Sequence, residues 1–164
     1  MSSRNVIENL AGHIAVRDLL DRYTDALNRR DWAALRDLFC KDGVWDAGGP
    51  EMGAQAFRFE GAVQCAQGIA GLVSPSDLCV QSNHAVVIEV NGQTAVARST
   101  INELILMKDA PGLMTVWGTY YDRIALEADG EWRFVERRFR FTWIDTAGGK
   151  GRVLARFPVA QAGG

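Results

Sequence analysis

The second half of the chain contains four long segments rich in Val, Ile, Thr and aromatic residues, separated by short turn sequences. The four segments are Leu78–Val90, Ala95–Lys108, Leu113–Leu126 and Trp132–Ile144. Asn91-Gly92, between the first two, is typical of a hairpin because both residue types tolerate the backbone of a tight turn. Asp109–Gly112 and Ala128–Gly130 supply two further turns. This arrangement predicts four antiparallel strands, so the chain must fold around one large sheet.

The first half of the chain has helical periodicity instead. Between residues 13 and 29, apolar side chains recur at intervals of three and four, which predicts one buried helical stripe. Gly12 makes an upstream extension to Val6 less favourable. Asp31 is a suitable N-cap for a second helix. The buried face of that helix would comprise Trp32, Leu35, Leu38 and Phe39. Lys41–Gly43 would end it, which completes a tight helical hairpin.

Two short strands and a third helix are expected between these halves. Val44–Asp46 is a candidate for a short strand, and Phe57–Phe59 alternates in polarity as a short strand does. Glu60–Val73 has helical spacing and precedes Ser74-Pro75, which should end the helix. The two glycines of this helix, Gly68 and Gly71, either weaken it or allow close packing.

Helices followed by a meander of long strands predict the α+β class. At 164 residues the chain is expected to form one domain. We assign residues 1–145 to it and predict a flexible C-terminal tail over 146–164. Strands of this length must curl to bury one face. We therefore predict a cone-shaped roll, in which a curved, mainly antiparallel sheet wraps on the N-terminal helical hairpin and the third helix and encloses a pocket.

Composition argues against several classes of function. The formal net charge is −2 without a basic stripe, which disfavours a nucleic-acid partner. No run of 18 apolar residues is present, and the N-terminus lacks the apolar core of a signal peptide, so we expect a cytoplasmic protein without a membrane span. Three scattered cysteines predict buried thiols rather than a disulfide or zinc site. The chain has no Gly-rich phosphate loop for a nucleotide and only two histidines to support a Cys/His cluster, so we predict no cofactor and no metal.

Two polar residues share a strand face with apolar neighbours. His84 alternates with Val86, Ile88 and Val90, and it is either a satisfied buried histidine or a working one. Arg137 alternates with aromatic residues and Val135. A buried guanidinium requires a partner, which is either a carboxylate of the protein or a charge on a ligand or transition state. A β-bulge in its strand would reverse this assignment.

Several aromatic residues are candidates for a pocket wall. Tyr23 lies on the buried stripe of the first helix, and its hydroxyl needs a partner if buried. Trp45, Trp117 and Tyr120 either line the pocket or fill the core, and filling the core is the more common role for any one of them.

The order of motifs resembles the SnoaL-like branch of the nuclear-transport-factor-two-like superfamily, which includes scytalone dehydratase and hexachlorocyclohexane dehydrochlorinase. The resemblance covers about Val16 to Trp143. The matching motifs are Tyr23-x-x-Ala26-Leu27-Asn28-x-x-Asp31-Trp32, Phe59-x-Gly61, Asn83-His84, Gly118-x-Tyr120-x-Asp122 and Asp129-Gly130-x-Trp132-Arg133-Phe134-x-x-Arg137. The resemblance implies a curved sheet wrapped on helices, with a deep pocket, and often a homodimer or homotrimer.

The resemblance also implies roles for particular residues. His84 matches the proton-abstracting histidine of the dehydratase and dehydrochlorinase members. Asn28 stands where those members have an aspartate that supports the histidine. Arg137 is similar to an arginine that assists departure of the leaving group, and Tyr23 to an oxyanion-stabilising tyrosine. An amide cannot stabilise an imidazolium as a carboxylate does, so Asn28 would orient His84 or bind the substrate.

These features favour a cofactor-independent lyase or isomerase, with dehydratase-like proton abstraction from a small, apolar, oxygenated, aromatic or polycyclic molecule. The catalytic residues would be His84, Arg137, Asn28 and Tyr23. The alternative is a non-catalytic small-molecule binder or an accessory subunit resembling the small subunit of ring-hydroxylating dioxygenases, because a fold does not by itself imply activity.

Overall fold

The computed structural model describes residues 3–48, 56–109 and 112–146. The helices are α1 (Ser3–Arg29), α2 (Trp32–Asp37) and α3 (Ala62–Val73). The strands are β1 (Phe39–Ala47), β2 (Phe57–Glu60), β3 (Ser76–Asn91), β4 (Thr94–Met107), β5 (Leu113–Leu126) and β6 (Trp132–Asp145). Nearly all of the tail predicted over 146–164 lies outside the described residues, as do parts of the turns near residues 50 and 110.

The strands form one six-stranded sheet in the order β2-β1-β6-β5-β4-β3. Four of the five pairings are antiparallel, and β1 runs parallel to β6. The hairpin between β3 and β4 turns at Gly92, whose φ of 59° lies in the left-handed region. The predicted α+β roll, with a mainly antiparallel sheet packed on N-terminal helices, is confirmed.

Helix α1 is longer than the periodicity of residues 13–29 indicated, because it continues through Gly12 to Ser3. A Cβ at Gly12 would lie 2.9 Å from the Val90 side chain, so this glycine lets the helix cross close to the end of β3. Asp31 caps α2 as expected, since its Oδ1 accepts a hydrogen bond from the Ala34 amide at 3.0 Å.

The assignment of Leu38, Phe39 and Lys41–Gly43 to the end of the second helix is wrong. Helix α2 ends at Asp37, and Phe39 begins β1, which therefore includes Gly43. Parallel pairing with β6 decides this, because the Phe134 amide donates to the Leu38 carbonyl at 2.9 Å. A Cβ at Gly43 would lie 2.8 Å from the Phe134 carbonyl oxygen. Gly43 thus permits close approach of two strands rather than capping a helix.

Helix α3 packs against β2 through a glycine. A Cβ at Gly68 would lie 2.4 Å from the ring of Phe59, whereas one at Gly71 would meet nothing within 4 Å. Of the two explanations for these glycines, close packing applies to Gly68. The helix begins at Ala62, after Gly61 with φ of 91°, rather than at Glu60.

The inner face of the sheet and the helices share one core of buried residues. Helix α1 contributes a stripe that includes Val16, Leu20 and Tyr23, and the sheet contributes Ile101, Ile124 and Phe134 among others. All three cysteines are free thiols, of which Cys65 and Cys79 are buried. Among the described residues, no helix combines the length and apolarity needed to cross a membrane.

Candidate active site

A cavity of about 330 Å³ lies between the inner face of the sheet, the end of α1 and α3. Its apolar lining includes Leu27, Ile69, Ile105, Met114, Val116 and Phe139. Five lining residues carry polar or titratable side-chain groups, namely Trp45, Ser76, Cys79, Glu103 and Tyr120. A mostly apolar cavity with a few polar side chains is the usual form of a small-molecule site.

A chain of hydrogen bonds connects three aromatic side chains at this cavity. Trp45 Nε1 donates to the Tyr23 hydroxyl at 3.0 Å, and the Tyr23 and Tyr120 hydroxyls are 3.4 Å apart. Gln81 Nε2 approaches the Tyr120 hydroxyl, also at 3.4 Å. Tyr23, Tyr120 and Gln81 are all at most 2% exposed, so the network is shielded from bulk solvent.

The hydrogen bonds of this network leave one hydroxyl hydrogen unused, and Gln81 Oε1 has no partner among the described residues. The Trp45 indole and the Gln81 amide nitrogen only donate, whereas each tyrosine hydroxyl has one hydrogen to donate. Whichever tyrosine donates to the other, the remaining O–H hydrogen has no acceptor among the described side chains. When Tyr23 donates to Tyr120, the unused O–H is that of Tyr120, which lines the cavity and can donate to an oxygen atom of a ligand.

Glu103 is the carboxyl group that lines the cavity. Its Oε1 accepts a hydrogen bond from Gln81 Nε2 at 2.7 Å. Burial raises the pKa of Glu103 above its ordinary value, and the Gln81 hydrogen bond only partly opposes this. Gln81 Nε2 lies 2.7 Å from Glu103 Oε1 and 3.4 Å from the Tyr120 hydroxyl. The carboxyl and the hydroxyl are therefore close enough for one small ligand to contact both.

Arg137 is buried beside the two tyrosines but engages a carboxylate of the protein. Its Nη1 donates to Asp122 Oδ2 at 2.9 Å, and both side chains are fully buried. Its Cζ lies 3.7 Å from the ring centroid of Tyr120 and 4.1 Å from that of Tyr23. Burial raises the pKa of both tyrosines, and the Arg137 charge acts in the opposite direction. Of the two partners considered for this guanidinium, the described residues provide the internal carboxylate.

Asn28 hydrogen-bonds to the backbone of β3 rather than to His84. Its Nδ2 donates to the Gln81 carbonyl at 2.9 Å, and its Oδ1 accepts from the Gln81 amide at 2.8 Å. The side-chain amide thus pairs with the backbone of β3 as a neighbouring strand would, and it fixes Gln81 against the end of α1. The expectation that Asn28 orients His84 is wrong on this geometry.

The expectation that His84 and Trp117 face the cavity is also wrong. His84 is exposed on the outer face of the sheet, where its ring stacks on Trp117 with centroids 5.1 Å apart. Its Nε2 lies 2.8 Å from Asn102 Oδ1. The strand register shifts between Asn83 and Val86, so the alternation that includes Val86 does not extend to His84.

Glu103, which lines the cavity, and Gln81, which hydrogen-bonds to it, were absent from the sequence-based candidates although the sequence contains a signal for both. Glu103 alternates with Ile101 and Ile105, and Gln81 alternates with Cys79, so each shares a strand face with apolar residues. Arg137 shares a strand face with apolar residues in the same way. Trp45 and Tyr120 line the cavity, and Tyr23 contacts both of them through its hydroxyl.

Titratable side chains of the described residues do not form a metal site, since no group of three or more His, Cys, Asp and Glu residues among them has suitable geometry. The titratable side chains that line the cavity are those of Glu103, Tyr120 and Cys79.

Solved structures with a similar fold come from several bacteria. A putative scytalone dehydratase from Novosphingobium aromaticivorans is 21% identical, with a TM-score of 0.73 over 96% of this chain and 99% of that one. A hexachlorocyclohexane dehydrochlorinase, LinA-type3, from Novosphingobium barchaimii is 15% identical, with a TM-score of 0.78 over 90% and 98% of the two chains. At these identities the likeness establishes the fold alone.

Sequence comparison assigns the family. Comparison with curated protein sequences finds no match. The family model of the SnoaL-like domain matches residues 8–138, which is most of the chain. This match confirms the resemblance inferred from the motifs, and the chain therefore belongs to the SnoaL-like family of the nuclear-transport-factor-two-like superfamily.

Proposed function

We propose that this chain is a cofactor-independent lyase or isomerase that acts on a small, largely apolar molecule carrying a carbonyl or hydroxyl group. Glu103 is the acid–base group in this proposal, and the Tyr23–Tyr120 pair binds the substrate oxygen. The observation that carries the proposal is a carboxyl of raised pKa in the same apolar cavity as an unused O–H donor.

The proposed chemistry begins with proton transfer to Glu103. Its carboxylate removes a proton from the carbon next to a substrate carbonyl, and the electron pair moves onto the carbonyl oxygen. The spare hydroxyl hydrogen at Tyr120 or Tyr23 stabilises that developing negative charge. Glu103 then returns the proton at another carbon, which is isomerisation, or a leaving group departs, which is elimination. A carboxylate with a raised pKa is a stronger base than an exposed one.

Proton exchange tests this proposal without knowledge of the complete reaction. Apolar ketones of increasing size are incubated with the protein in deuterium oxide, and deuterium uptake at the carbon next to the carbonyl is followed by mass spectrometry. We expect Glu103→Gln to reduce the exchange rate by about a hundredfold or more. Glu89→Gln, an exposed carboxylate on β3, is the matched control and should retain the wild-type rate. Equal exchange in wild type and Glu103→Gln would remove Glu103 from the mechanism.

A second candidate is ligand binding without chemistry, and two observations favour it. Arg137 is paired with Asp122 inside the protein, and His84 lies on the outer face of the sheet. In that case the ketones bind with measurable affinity, while deuterium uptake equals the rate in buffer alone. A second protein chain that co-purifies with this one would instead favour an accessory subunit.

A further inference from the structure

The position of Arg137 is unusual for a residue that only holds strands together. Its side chain is fully buried, yet among the described residues only Nη1 has a hydrogen-bond partner, while Nε and Nη2 have none. A buried guanidinium that serves as a structural link normally uses most of its five N–H donors. Arg137 therefore remains poorly satisfied as a hydrogen-bond donor.

What surrounds the guanidinium is aromatic. The centroids of the Tyr120, Tyr23 and Phe134 rings lie 3.7, 4.1 and 4.6 Å from Cζ. The first two rings carry the hydroxyls that lie 3.4 Å apart, and Tyr120 lines the cavity. A cation against a phenol ring stabilises negative charge on that phenol, and the effect is strong where water is excluded. Tyr120 lines the cavity and contacts Tyr23 through its hydroxyl, so the charge of Arg137 acts on the cavity through these rings.

We propose that Arg137 is a positioning residue of the cavity, which acts through the Tyr23 and Tyr120 rings to make their hydroxyls stronger donors. The pocket then selects ligands whose oxygen carries or develops negative charge, such as phenolates and enolates, over neutral molecules of the same shape. This inference rests on the proposed use of the tyrosine pair to bind the ligand oxygen.

The test measures charge selectivity with two probes of nearly equal shape. Pentafluorophenol is anionic at neutral pH, whereas its methyl ether, pentafluoroanisole, has the same ring and no charge. Fluorine NMR gives the dissociation constant of each probe and also reports the ionisation state of the bound phenol. We expect wild type to bind the phenolate about tenfold more tightly than the ether.

The informative variant removes the charge of Arg137 together with that of its partner. In Arg137→Met/Asp122→Asn, neither a cation nor an uncompensated carboxylate remains buried. We expect this variant to bind the ether within about twofold of wild type and to lose most of the phenolate preference. Arg138→Met removes one positive charge from the exposed face of the same strand, and it is the control for net charge.

A conservative variant keeps the inference testable if the double variant does not fold. Arg137→Lys retains the charge without the planar group, so we expect an intermediate preference for the phenolate. Wild-type preference in the folded double variant, or equal loss of affinity for both probes, would overturn the inference. Equal affinity of the wild-type protein for the two probes would also overturn it. None of these measurements depends on turnover, so failure of the Glu103 exchange test leaves this result interpretable, and the reverse also holds.

Discussion

Replacing Asp122 by asparagine separates the two opposing effects on the buried ion pair. Desolvation raises the pKa of this carboxyl from its ordinary 3.8 to about 7, although the Arg137 charge acts to lower it. The Asp122 side chain is fully buried, and its Oδ1 has no hydrogen-bond partner among the described residues. Asparagine has nearly the same shape and resembles the protonated acid, so the variant isolates the effect of ionisation.

The direction in which stability changes with pH follows from proton linkage. Because the pKa of Asp122 is higher in the folded state than in the unfolded state, the folded state binds the proton more tightly. The corresponding stability is fully present below about pH 4 and is lost as the pH rises through about 7. A shift of this size corresponds to about 4 kcal/mol of unfolding free energy.

The expected result is a difference that depends on pH. At about pH 4, Asp122→Asn should match wild type within about 1 kcal/mol, and above about pH 7 it should be more stable by up to about 4 kcal/mol. Urea denaturation followed by tryptophan fluorescence at several pH values measures this. Asp42→Asn, which removes an exposed carboxylate, is the control and should leave the pH profile of wild type unchanged in shape.

The opposite sign would refute this reasoning. If attraction to Arg137 outweighs desolvation, Asp122→Asn leaves an unpaired buried cation, and the variant is about 3–5 kcal/mol less stable than wild type at neutral pH. Loss of stability of that size would show that the ion pair is a net stabilising contact.

Three further predictions concern packing, the outer sheet face and assembly. Gly68→Ala should lower the unfolding free energy by about 1–3 kcal/mol through collision with Phe59, whereas Gly71→Ala in the same helix should raise it by up to about 1 kcal/mol, and urea denaturation compares the two. His84→Ala should leave the deuterium exchange rate within about twofold of wild type, and a much larger loss would return His84 to the mechanism. We predict that analytical ultracentrifugation will show a homodimer or homotrimer. The Trp143 side chain is 50% exposed on the sheet. If this face forms the interface, Trp143→Glu should weaken the assembly.

Local chemistry in the sequence was sufficient for much of the fold. Turn residues and β-branched segments gave β5 its observed bounds, Leu113–Leu126, because hairpin strands are specified by their own alternation and by the turns at their ends. Helix α1 was recognised from its apolar stripe, and Asp31 from capping chemistry. Where prediction failed, at Phe39–Gly43, the segment forms its strand through a parallel partner about 90 residues away, which local periodicity cannot reveal.

The site was less predictable, because the direction of a side chain depends on register. Alternation indicated correctly that Arg137 is buried, but its partner Asp122 is determined by the register of β5 against β6. The same reasoning failed for His84, because a shift in strand register between Asn83 and Val86 places it on the outer face.

The sequence alone determined the family, the class of fold and an apolar face interrupted by polar groups. Only the tertiary structure brought Glu103, Gln81 and Tyr120 together, since these residues lie on different strands and converge only when the sheet forms.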